Sequence, residues 1–467
     1  MWRDGLAARN GQRAAAPLIP VILAPSLAVF RHRAYLLYWI MRQLISASRQ
    51  MLAVALGWQV YDLARQTRSI EESALILGFV GLAQFIPVLM FSLVGGQAAD
   101  RLDRKTILIV SNAVRLLALV LLLLTSGMEA DAAMTAIFVA AVLFGAVNAF
   151  TPAASNALYP TLVPRAELSS AIAWNSLGFQ AAAIMGPAIA GFLFIIGPGA
   201  VYGAGLAMTL AAMAAIALAR TPAQPRVENA NGVAMALDGL RYVRDNPVVL
   251  GAITLDLVVV LFGGATALLP VFARDILHVG SEGLGVLRAA PAAGAAVVAF
   301  FLAVRPLTRR VGPWMLGAVA IYGAAMLAFG LSTVFWLSLA ALAISGAADM
   351  ISVYVRHSLI QFATPDGMRG RVASVSFIFI SASNELGEFE SGVAARFIGP
   401  VGAVVLGGVV ALATAALWLR LFPRLARADR FEEVGENEAR ATPLALVSEP
   451  ARLEPRLAET KSAPPEP

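Results

Sequence analysis

The chain contains no cysteine and only three histidines in 467 residues. Without thiols there is no disulfide, no thiolate metal site and no cysteine nucleophile. His32, His278 and His357 are far apart and lack metal-ligand spacing, so neither a metal nor a cofactor is expected. Charge is also scarce: 14% of residues are Asp, Glu, Lys or Arg, where soluble domains carry roughly a quarter. No G-x-x-x-x-G-K-[ST] phosphate loop occurs, which disfavours nucleotide-driven work. Nothing in the sequence supports an enzyme.

What remains is apolar. Hydrophobic residues make up 59% of the chain and the mean hydropathy is +0.76. A soluble fold of this length could not cover itself with polar surface. Runs at 35–62, 73–95, 106–126, 132–157, 168–196, 200–220, 247–273, 282–304, 313–331, 335–357, 371–396 and 400–422 each offer about the ~20 residues that cross a bilayer. The expected fold is an all-α membrane protein of twelve transmembrane helices. Glycine and proline inside several runs are tolerable where neighbouring helices satisfy the freed backbone groups.

Basic residues set the orientation. Most loop Lys and Arg fall in the connections after the second, fourth, sixth, eighth and tenth runs; the opposite set holds only Arg65, Arg68, Arg274 and Arg396. The positive-inside rule then places both termini in the cytoplasm. The pI near 9.9 reflects basic residues at the ends of apolar runs, which suit anionic lipid rather than nucleic acid. The expected location is a bacterial inner membrane, and the expected state a monomer. Residues 14–30 superficially resemble a signal peptide, but their three prolines and the following Arg31 and Arg33 favour a membrane-surface or packed N-terminal segment. The segment after residue 422, rich in Glu, Arg, Ala and Pro, is expected to be a disordered tail.

The longest hydrophilic connection divides the runs six and six. The resulting plan is an N-terminal segment (1–34), a six-helix bundle (35–220), a linker (221–246), a second bundle (247–422) and the tail (423–467). Within the linker, VAMALDGLRYVRDNP has the pattern of a short amphipathic helix lying on the membrane surface. The two bundles look like repeats. Counting 22 residues on from Pro164 and Pro365 reaches Gly186 and Gly387, and 27 on reaches Gly191 and Gly392. GPAIAG (186–191) thus aligns with GEFESG (387–392), and LDRK (102–105) with LTRR (307–310). Parallel six-helix repeats are a known transporter plan.

With GGQAADRLDRK after the second run, the chain resembles the major facilitator superfamily. Gly96, Asp100, Arg101, Arg104 and Lys105 match the signature of that family's second connection, and Asp103 stands where the family usually has glycine. The resemblance implies a conformational latch at these residues, with Asp100 reaching the eleventh helix or its neighbours. Gly186, Pro187 and Gly191 resemble the helix-5 element of the family's antiporters, with Ala190 replacing a glycine. GLRYVRDNP, ATPDGMRGRV (363–372) and NELGEFESG (384–392) resemble the branch of efflux proteins that includes siderophore exporters.

Intramembrane charge costs ~2.5–3.5 kcal/mol per residue on insertion scales and marks function. Glu385 lies about 14 residues, or ~21 Å, into the eleventh run, past the midplane of a ~30 Å core. Glu388 shares its face, whereas Glu390 projects elsewhere and reads as an interfacial or helix-packing residue. The first bundle has Ile184, Pro187 and Ile189 at the matching positions, so the architecture alone demands no acid there. On the first run Arg42, Ser46, Arg49 and Gln50 form one polar stripe. Arg42 can snorkel to the surface; Arg49 lies too deep and is expected to face a cavity. By the resemblance, Asp256 and Asp349 belong to pathway-lining helices; structural pairing of these acids with Arg49 or Arg356 is the alternative. Gln84, Asn148, Asn156, Asn175, Gln180 and Asn384 are neutral candidates, each more ordinarily interhelical glue.

The function expected is proton-coupled export of a small amphipathic molecule, siderophore-like or drug-like, by alternating access. The alternatives are an importer or lipid flippase of the same fold, or a membrane sensor that does not transport.

Overall fold

The computed structural model describes residues 26–222, 232–365 and 367–433. Most of the N-terminal apolar segment and nearly all of the tail lie outside them. The described chain is helical throughout: α1 (Arg33–Ala64), α2 (Ile70–Arg101), α3 (Arg104–Leu124), α4 (Ala130–Leu158), α5 (Leu168–Ile196), α6 (Pro198–Leu218), α7 (Gly232–Asp245), α8 (Pro247–Phe262), α9 (Gly280–Val304), α10 (Val311–Leu331), α11 (Phe335–Ala363) and α12 (Arg369–Leu421). Ten helices among the described residues are long and apolar enough to span a membrane. Large side chains on their outer faces are bare, among them Phe300, Phe301, Trp336 and Ile196, as a lipid-facing surface requires.

Several boundaries differ from the sequence reading, each for a local reason. The run expected at 247–273 is not one helix. α8 stops at Phe262, and short turns carry the chain from Ala265 to Ile276. Two adjacent glycines, Gly263 and Gly264, weaken the helix there. The Tyr322 hydroxyl donates to the Gly263 carbonyl at 3.1 Å, satisfying an acceptor that the break would strand. α12 merges the last two expected runs, which are separated only by Gly399 at φ 77°, followed by Pro400. α2 is longer than expected, so Gly96, Asp100 and Arg101 lie on its last turns rather than in a loop. Asp103 needs no glycine-like conformation: at φ −62° it caps α3, accepting from the Thr106 backbone N–H at 3.1 Å.

Lipid offers no hydrophobic drive between helices, so close packing rests on small residues. Gly145 of α4 meets the Gln84 backbone of α2, and Gly346 of α11 meets the Pro291 backbone of α9. Gly186 of α5 packs on α1, where an added Cβ would stand 2.7 Å from that of Gln50; Gly387 of α12 packs on α8, 2.7 Å from the Val260 carbonyl oxygen.

The two groups of helices, α1–α6 and α8–α12, touch along two seams. Gly191 of α5 packs on Gly285 of α9, and Gly392 of α12 packs on Gly78 of α2. At one end of the molecule the start of α1 clusters with the ends of α4 and α6, and the end of α12 packs near the start of α8. There Asp429 accepts from the Arg310 backbone N–H at 3.0 Å, which holds its carboxyl below the usual carboxylate range. This end also carries α7, joined to α12 by Asp238–Arg371 at 3.0 Å. Among the described residues, the ion pairs that cross between the groups all lie at the opposite, far end: Arg65–Asp275 at 3.3 Å, Asp62–Arg274 at 2.5 Å and Glu72–Arg396 at 3.4 Å. The Tyr61 hydroxyl adds a hydrogen bond to Asp275. This is a conformer closed at the far end.

Candidate functional site

Below that closure, between the two groups, lies a cavity of about 170 Å³. The polar stripe of α1 supplies Arg49 and Gln50, and α2 supplies Gln84 beside Gly81. From α4 come Phe144 and Asn148. On the other side, α12 contributes Glu385 and Glu388. Their three-residue spacing sets them 60° apart on one face, as the helical period requires.

Two arginines complete the lining. Arg288 reaches in from α9, and its Nη1 donates to the Thr266 carbonyl at 3.2 Å. That carbonyl lies in the interrupted stretch after α8, so the break gives the arginine a backbone anchor. Arg115 comes from α3 and passes beside Phe144, its guanidinium carbon 5.9 Å from the ring centre. Arg115 is only 2% exposed, and its Nε has no hydrogen-bond partner. Three guanidinium groups and two carboxylates therefore face one small volume. No ion pair closes between them among the described residues.

Glu388 also lies in a seam. A Cβ on Gly81 of α2 would stand 3.1 Å from Glu388 Oε2. Its carboxylate thus lies where the two groups must part if the far end opens. Beside it, Phe79 and Phe389 pack ring on ring with centres 5.6 Å apart. Glu390 is half-buried and is not part of the cavity lining.

The remaining candidates lie elsewhere. Asp256 forms a buried ion pair with Arg356, the two side chains 7% and 4% exposed; this pair joins α8 to α11 inside the second group. Asp349 lies on α11 near Tyr322. Neither acid is among the cavity-lining residues. Arg42 Nη1 donates to the Tyr38 hydroxyl at 3.0 Å and to Ser155 Oγ and Asn156 Oδ1 at 3.3 Å, which ties α1 to the end of α4. Asn384 is exposed and donates to the Ile380 carbonyl of its own helix at 2.8 Å. Gln180 crosses the α5–α9 seam to the Ala292 carbonyl at 2.6 Å. Both amide atoms of Asn175 are buried without a partner.

At the end opposite the closure, Arg104 donates to the carbonyls of Ala99 at 3.2 Å and Ala157 at 2.8 Å. Lys105 Nζ donates to the carbonyls of Ala217 at 2.8 Å and Ala219 at 2.7 Å. These contacts cap the ends of α2, α4 and α6 within one group of helices. Asp100 and Arg101 are exposed at the end of α2. Gly186, Pro187 and Gly191 are buried, and the two glycines face different neighbours, α1 and α9.

Sequence reasoning missed Arg115 and Arg288. The signal was available, because each is a lone arginine inside an apolar run.

A family model described as transmembrane secretion effector matches residues 24–452. The enterobactin exporter EntS of Citrobacter koseri is 27% identical over 393 residues, covering 82% of this chain and 86% of that protein. EntS of Escherichia coli O1:K1 is 26% identical over the same shares. Among solved structures, a bacterial homologue of the iron transporter ferroportin in an inward-facing state aligns with a TM-score of 0.64 at 16% identity, covering 86% of this chain and 100% of that one. The inward-open xylose transporter XylE from E. coli aligns at 0.63 and 12% identity, covering 88% and 99%. Identity at that level establishes a shared fold.

Proposed function

The chain belongs to the transmembrane secretion effector family of the major facilitator superfamily, and from that premise we propose a proton-coupled exporter. It is a multi-pass membrane transporter; we read its cargo as a small amphipathic molecule and its membrane as the bacterial inner membrane. The observation that carries this reading is the charged cavity between two groups of helices, sealed at one end by three ion pairs. Cargo enters from the side opposite the closure, the far-end pairs break, and the entry side closes. In this reading α12 counts as two membrane passes and α1 as another, for twelve in two six-helix repeats. Support for the repeat comes from the glycines: Gly186 and Gly387 make equivalent contacts, as do Gly191 and Gly392. The basic loops favour the far end as the extracytoplasmic one.

Glu385 and Glu388 are the proton carriers in this scheme. They are carboxylates of the cavity, and Glu388 borders the α2–α12 seam, so its access to water changes when the seam opens. Arg104 and Lys105 hold the cytoplasmic ends of the first bundle, and with Gly96, Asp100 and Arg101 they would meet the second when that side closes. The test is accumulation of amphipathic fluorescent probes into inverted membrane vesicles energised by an imposed pH gradient. Uphill accumulation that requires this chain supports the exporter. Absence of gradient-dependent movement for every probe, with lipid probes redistributing instead, would favour a flippase.

A further inference from the structure

The charges in the cavity do not balance. Its lining holds three arginines, Arg49, Arg115 and Arg288, against two acids, Glu385 and Glu388, and contains no Lys, His or Asp. Even with both carboxylates ionised, one positive charge is in excess. Arg115 is the least ordinary of the three. Its side chain is nearly fully buried and its Nε is unpartnered, although arginine has no neutral form at physiological pH to relieve such a site. A buried guanidinium with no carboxylate partner costs several kcal/mol unless something else completes its shell. The Phe144 face supplies part of that shell through a cation–π contact. Arg115 is also one of the residues that line the cavity.

We propose that the cargo is an organic anion, with its acidic group held by Arg115 and Arg49 and its apolar or aromatic body against Phe144. This rests on the reading of the cavity as the cargo site and adds the sign of the cargo's charge. A guanidinium fork presents parallel N–H donors to a carboxylate or an acidic phenol. Arg288, anchored to the Thr266 carbonyl at 3.2 Å, offers a third cationic wall from the opposite group of helices. An anion bound here is therefore held by both groups and can bias their relative position. A cationic cargo would need the acids as its seat and would face three repelling arginines. An anion leaving a cell also moves negative charge outward. Its export is then electrogenic, and a proton entering in exchange adds to the same charge movement.

The experiment uses the full purified chain with two named dyes, anionic 5-carboxyfluorescein and cationic rhodamine 6G. Binding is read by fluorescence anisotropy in detergent, and charge movement as current in proteoliposomes. The wild type is expected to bind the anion at least ~10-fold more tightly than the cation. Arg115→Leu should weaken the anion by ~10-fold or more, the usual scale for a lost hydrogen bond to a charged group, and Arg115→Lys should recover part of it. Anion transport should reverse its current when a potassium–valinomycin clamp reverses the potential. If Arg115→Leu fails to fold, Arg288→Gln at the cavity wall is expected to show the same selective loss. Tighter binding of the cation, abolished by Glu388→Gln and untouched by Arg115→Leu, would overturn the anion assignment while leaving the exporter intact. Binding of neither dye would overturn the anion assignment, while the exporter reading stands or falls on the vesicle experiment.

Discussion

Gly392 of α12 and Gly78 of α2 leave no room for a side chain between them: a Cβ on Gly392 would stand 2.7 Å from the Gly78 Cα. Gly191 and Gly285 make the equivalent contact in the other seam, where a Cβ on Gly191 would stand 3.0 Å from the Gly285 Cα. Gly392→Leu should therefore hold the far end open and abolish turnover. Because the chain has no native cysteine, spin labels can be attached to single introduced cysteines at the far end without background. The variant should show a widened distance distribution there. An unchanged distribution with normal transport would mean that the seam does not control closure.

The far-end ion pairs should be individually weak. Asp62 and Arg274 are 47% and 33% exposed, and pairs of that exposure are worth ~0–1 kcal/mol after solvent screening. Arg274→Ala is expected to shift the open–closed balance only modestly, by less than ~5-fold. The swap of Asp62→Arg with Arg274→Asp should restore it. Single-molecule distances across the far end, measured at low and high salt, check both statements, since high salt should blunt the effect of Arg274→Ala.

The Asp256–Arg356 pair should behave in the opposite way. Both side chains are buried, so removing one partner strands a charge and is expected to cost ~3–5 kcal/mol. Asp256→Ala should lower the thermal stability of the purified protein sharply. The double change Asp256→Leu with Arg356→Met should recover most of the loss, because replacing both partners removes the desolvation cost. If Asp256→Ala left stability intact but stopped transport, Asp256 would be a working residue of the cycle rather than a brace.

Lys105 gives a local test. Its ammonium caps two carbonyls at the end of α6, and Lys105→Ala should loosen that end by ~0.5–1.5 kcal/mol. Hydrogen exchange in the last turn of α6 should rise, with little change at the far end.

Much of this fold was legible because lipid imposes a strong rule: apolar runs of sufficient length become helices. The ends were less so. Helix α2 runs on through Asp100 and Arg101 because polar residues at the membrane surface cost it nothing. The break at Gly263–Gly264 was hidden inside an apolar run, where hydropathy is blind to backbone geometry. At the site, Glu385 and Glu388 could be paired from their helical spacing alone. The arginines that face them could not, since Arg115 and Arg288 come from different helices and their approach depends on tertiary packing. Asp256 shows the converse: an intramembrane acid is conspicuous in sequence, but only its neighbour Arg356 reveals that it braces α8 against α11.

The most direct test of the cavity as a proton-coupled cargo site is simultaneous measurement of proton and anion flux in proteoliposomes, for wild type, Glu385→Gln and Glu388→Gln. In wild type, movement of the anionic dye should drive protons across the membrane in the opposite direction. Glu388→Gln should keep dye binding and lose the linked proton flux, because the seam carboxylate can no longer take up or release a proton. Normal proton-linked transport by both glutamine variants would contradict the assignment and move proton coupling away from α12.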